Sequence, residues 1–70
     1  MPPSEIMILL KPTLSITDTK DVFIALNKIL PQAVARQLRI DNLAVPPRLY
    51  LSSDVDATVI YDELLKLGAI

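Results

Sequence analysis

The first pattern along the chain is a continuous apolar run of strand length, Ile6-Met-Ile-Leu-Leu10. A run without polar interruption suits a strand covered on both faces. Lys11-Pro12 ends it, because proline has no amide to give to a ladder. From Ser15 the period changes. Val22, Phe23, Leu26, Ile29 and Leu30 recur at helical spacing and form one apolar stripe, with Lys20, Asn27 and Lys28 opposite. Thr17 can cap this helix, and Asp18 and Asp21 suit the positive end of its dipole. Ile24 falls on the polar side, about 160° from the centre of the stripe at roughly 100° per residue.

Pro31 either kinks that helix or opens a new one. Gln32 to Arg39 keep a short stripe of Val34, Ala35 and Leu38, after which the helical period fails and Asp41-Asn42 reads as a turn. Residues 40–46 are open to a strand, a helix or a loop. Pro46-Pro47 stops any helix, and Arg48-Leu-Tyr-Leu51 is a short strand candidate. Ser53 and Asp56 have the spacing of a capping box, with Asp in place of Glu. Ala57, Ile60, Tyr61, Leu64, Leu65 and Leu67 make a broad stripe, and Gly68 fits a left-handed stop. Asp62, Glu63 and Lys66 face away, and Val59 shares their polar side.

The expected order is therefore strand, helix, short helix, strand, helix, in one small domain over residues 1–70. That is a mixed α+β or α/β class with a minimal sheet. Two strands joined by a helical crossover should run parallel. Two short parallel strands make a poor isolated sheet, so oligomerisation is expected to complete it.

Composition narrows the picture. The 70 residues are 51% apolar with a net charge of -1, and mean hydropathy is +0.43, so the chain has the means to fold. A chain of this length buries only about 60% of its unfolded surface. Such domains usually add disulfides, a metal or a partner. With no Cys and no His, disulfides and thiolate or imidazole metal sites are excluded, and no cofactor is expected. A second copy or another protein is then the expected supplement. The balanced charge disfavours nucleic acid and anionic membranes. The start of the chain lacks the basic region of a secretory signal, and no run approaches the roughly 20 apolar residues of a membrane span, so a cytoplasmic setting is expected.

Three segments carry candidate chemistry. Asp54-Val-Asp-Ala-Thr58 resembles the Asp-x-Asp-x-Thr signature of haloacid-dehalogenase-type phosphatases. The resemblance implies one nucleophilic aspartate, one acid–base aspartate and magnesium between them; two serines separate the motif from the preceding strand candidate. The plain alternative is a helix start rich in capping residues. Val34-Ala35, Leu38, Ile40 and Val45, with Arg36, Gln37 and Arg39, have helix-turn-helix-like spacing, but Pro46-Pro47 falls inside the would-be recognition helix. Leu38-Arg-Ile40, Arg48-Leu-Tyr-Leu51 and Asp54-Val55 resemble the end of macrophage-migration-inhibitory-factor-type tautomerases, over less than a third of the chain and with a longer spacer. That resemblance implies Pro2, freed of Met1, as a base, with Lys11, Arg39 and Arg48 holding a carboxylate.

Other catalysis is hard to build without histidine or cysteine. What is left is surface. Ile24 and Val59 are β-branched aliphatics on otherwise polar helix faces. If those faces adjoin, the two form the centre of a contact patch rimmed by Lys20, Lys28, Asp62 and Glu63. The leading expectation is a non-catalytic interaction or oligomerisation module. The proline-based tautomerase is its rival, and the DNA binder comes third.

Overall fold

The computed structural model describes residues 4–70. Its elements are β1 (Glu5–Leu9), α1 (Ile16–Ile29), α2 (Gln32–Ala35), β2 (Leu38–Asp41), β3 (Arg48–Ser52) and α3 (Ala57–Lys66). The class is mixed α+β, with three helices and a three-stranded sheet in the order β1-β3-β2.

The sheet is antiparallel, which corrects the expected parallel pair. β3 is antiparallel to both neighbours, pairing Met7 with Tyr50 on one side and Arg39 with Tyr50 on the other. The reason is the additional strand. The helical crossover joins β1 to β2, and those two do run in the same direction, but β3 turns back from β2 and inserts between them. α2 is shorter than the helical stripe implied. It stops at Ala35, and Leu38, Arg39 and Ile40 then alternate buried, exposed and half-buried, which is the period of a strand. The connection from β2 to β3 begins with an Asx turn, in which the Asp41 carboxylate accepts from the amides of Leu43 and Ala44 at 3.1 Å each.

The helix ends follow local chemistry. Ser15, rather than Thr17, caps α1. Its hydroxyl accepts from the Asp18 amide at 3.0 Å while the Asp18 carboxylate accepts from the Ser15 amide at 3.1 Å, a complete capping box. Asp56, rather than Ser53, caps α3 through the Thr58 amide at 3.0 Å. Gly68 takes a φ of 72° just past α3. Its amide donates to Leu65 and that of Ala69 to Leu64, the paired bonds of a Schellman stop.

All the helices serve one face of the sheet. Leu49 and Leu51 of β3, Leu26 of α1, and Ile60 and Leu64 of α3 are fully buried, with Ile8, Leu10, Val22 and Leu30 around them. The run Ile6 to Leu10 is therefore covered on one face only. Ile8 and Leu10 point into the core, and Met7 and Leu9 are half-exposed. Ile29, Tyr61, Leu65 and Leu67, expected in the apolar stripes, are also exposed, because each helix meets a single layer and buries a narrower stripe than its sequence offers. Among the described residues, no helix is long and apolar enough to cross a membrane.

A domain of this length holds only about 4–10 kcal/mol in total. Leu51→Ala should therefore remove much of it, about 2–5 kcal/mol, read from the urea midpoint. A loss below about 1 kcal/mol would show that β3 is not the centre of the core.

Candidate functional site

Side chains of alternate strand residues point to opposite faces. With Ile8, Leu49 and Leu51 inside, the open face carries Glu5, Met7 and Leu9 of β1, Arg48, Tyr50 and Ser52 of β3, and Arg39 and Asp41 of β2. The Arg39 guanidinium lies 4.2 Å from the centre of the Tyr50 ring. It continues across the central strand to the Glu5 carboxylate at 3.2 Å. One cation thus ties the outer strands together over an aromatic ring.

Arg48 is differently placed. Asp41 stands opposite it on β2, but the Asp41 carboxylate is engaged by the turn amides and makes no ion pair with it. The ion pairs among the described residues are Arg39–Glu5 and Lys66–Glu63. The Arg48 head group instead donates to the Met7 sulfur at 3.9 Å, a weak acceptor, and its Nε is buried without a partner among the described residues. Arg48 is therefore a guanidinium without a carboxylate, lying against apolar β1 side chains.

The strand edges complete the surface. At the two ends of the β1–β3 ladder, the Leu10 amide donates to the Pro47 carbonyl at 2.9 Å and the Ser53 amide donates to the Ser4 carbonyl at 3.0 Å. Antiparallel ladders alternate between bonded and non-bonded pairs. Ile6 and Ile8 therefore turn their backbone groups inward to Leu51 and Leu49, and Glu5, Met7 and Leu9 turn theirs outward. The Lys11 amide continues this outward set and donates to the Ala69 carbonyl at 2.8 Å, so the tail after α3 closes the far end of the edge. By the same alternation, Arg39 and Asp41 of β2 face β3, and Leu38 and Ile40 present their backbone outward.

The residues singled out in the sequence fall on several elements. Ile24 and Val59 are exposed, one on α1 and one on α3, with Lys20, Lys28 and Asp62 exposed on the same helices. Glu63 is partly buried and pairs with Lys66 at 3.3 Å. Pro2 lies outside the described residues. Arg39 aligns through Tyr50 with Met7, whereas Lys11 lies four residues further along and beyond β1, so the register does not bring the two together. Asp54 is exposed in the turn before α3, and Asp56 is its helix cap. Among the described residues, no group of three or more acidic, His or Cys side chains could hold a metal ion. A groove beside α1, lined by Leu14, Asp18, Asp21, Val22, Ala25 and Leu67, has apolar walls and carries two carboxylates, one of them committed to the α1 cap. The Tyr50–Arg39 stack and the bare β1 edge are the features sequence reasoning missed. The alternation in Leu38-Arg-Ile40 was the available signal.

Glu5→Gln should change stability by less than about 1 kcal/mol, because both partners of its ion pair are exposed. A urea midpoint corresponding to a loss above about 2 kcal/mol would mean instead that the open face helps hold the fold. No family model, curated protein or solved structure matches this chain, so the functional reading rests on the surface itself.

Proposed function

We propose that this chain is a small non-catalytic interaction module that works by assembling with copies of itself in the cytoplasm. The observation that carries the reading is the pair of sheet edges that no further strand covers among the described residues, beside an open face with half-exposed Met7 and Leu9. An edge of this kind is a template for a further strand. Three short strands with helices on one side bury little surface, and an additional copy is the available supplement in a chain without cysteine or a metal cluster among its described residues. The absence of histidine and cysteine supports a role without its own chemistry, and a chain without cysteine loses nothing in a reducing compartment.

Light scattering across a concentration range tests the reading. The mean mass should rise from 7.7 kDa toward a discrete multiple of it. A mass fixed at the single-chain value at every concentration would contradict it.

A further inference from the structure

We infer that the second copy binds at the outer edge of β1, pairing β1 with β1 antiparallel about a two-fold axis at Met7. This rests on the self-assembly reading and adds the surface and the register. The result is a six-stranded sheet in the order β2-β3-β1-β1-β3-β2, with all helices on one face.

The choice between the two edges is electrostatic. On β2 the outward groups belong to Leu38 and Ile40, so symmetric pairing sets Leu38 against the partner's Ile40 and Arg39 directly against the partner's Arg39. Like charges facing each other across strands are unfavourable. On β1 the outward groups belong to Glu5, Met7 and Leu9. Symmetric pairing sets Met7 against the partner's Met7 and Glu5 against the partner's Leu9, with no like-charge contact. Edges that must stay single usually carry Lys, Pro or a bulge. β1 has none of these between Glu5 and Leu9.

The register follows from the tail. The Lys11 amide is already bonded to Ala69, so a partner strand cannot slide beyond Leu9 without meeting residues 69 and 70. Pairing centred on Met7 uses all three outward residues of each copy and stops short of that obstruction.

The same register addresses the unpaired cation. Arg48 sits beside Leu9 in the sheet and leans toward β1, as its contact with the Met7 sulfur shows. In the pair, the partner's Leu9 faces Glu5, so the partner's Arg48 is two strand spacings from Glu5, about 9–10 Å between backbones. Extended arginine and glutamate side chains span that gap. Glu5 of each copy, paired with Arg39 of its own chain at 3.2 Å, would then be shared with the other's Arg48.

The chain has no cysteine, so a single introduced thiol reports the register cleanly. Met7→Cys places the two thiols on directly opposed residues about 5.5 Å apart at Cα, within disulfide reach. Leu9→Cys places them more than about 13 Å apart. Both positions are half-exposed, so neither change empties the core. Under a mild thiol oxidant, Met7→Cys should double its mass on a non-reducing gel while Leu9→Cys stays at the single-chain mass. If the unmodified chain is dimeric but Leu9→Cys links as readily as Met7→Cys, or Met7→Cys fails to link, the β1 pairing is wrong and self-assembly stands. If the unmodified chain is monomeric at every concentration, both readings fail.

Discussion

β3 is the strand on which the rest of the molecule depends. It is hydrogen-bonded on both sides, and β1 and β2 meet only through it. Its inward residues, Leu49 and Leu51, are fully buried under α1 and α3 and lie at the centre of the apolar core. Its outward residues, Arg48 and Tyr50, are the middle row of the open face. A central strand of five residues can satisfy two neighbours and no more. Among the described residues, both flanking strands are then left with one side paired to a strand and one not.

That constraint also explains the chemistry of the open face. With helices on one layer only, side chains of the other layer must be polar, or pair among themselves, or be covered by something else. Arg39, Tyr50 and Glu5 solve this by a stack and an ion pair in solvent, an arrangement that contributes little to stability. Met7, Leu9 and Arg48 are not solved within one chain. Two are half-exposed apolar groups, and the third is a cation with a sulfur where a carboxylate would serve better. Met7 and Leu9 lie on β1 and Arg48 leans toward it from β3, so a strand added at the outer edge of β1 would lie beside all three.

Much of this was legible in the amino-acid order. Helical spacing located α1 and α3, and the left-handed stop at Gly68 followed from its place after the stripe. The run ending at Lys11-Pro12 marked β1, and Arg48 to Leu51 marked most of β3. β2 was obscured because Val34, Ala35 and Leu38 continue a helical period across the true end of α2. Strand direction followed from β2, since a crossover between neighbours and a crossover to a non-neighbour read alike in sequence. The apolar run of β1 suggested burial on both faces, but apolarity alone does not tell a second covering layer from a second molecule. The pairing of Arg39 with Tyr50 and Glu5 depends on register, which no local pattern encodes.

The most direct test of the account is amide hydrogen exchange along β1 at two concentrations. In dilute solution the amides of Ile6, Ile8 and Leu10 should be protected and those of Met7 and Leu9 should exchange freely, because alternate residues face β3. Raising the concentration should slow exchange at Met7 and Leu9 while Leu38 and Ile40 on the opposite edge stay open. Equal protection of all β1 amides in dilute solution, or Met7 and Leu9 amides indifferent to concentration, would contradict the account.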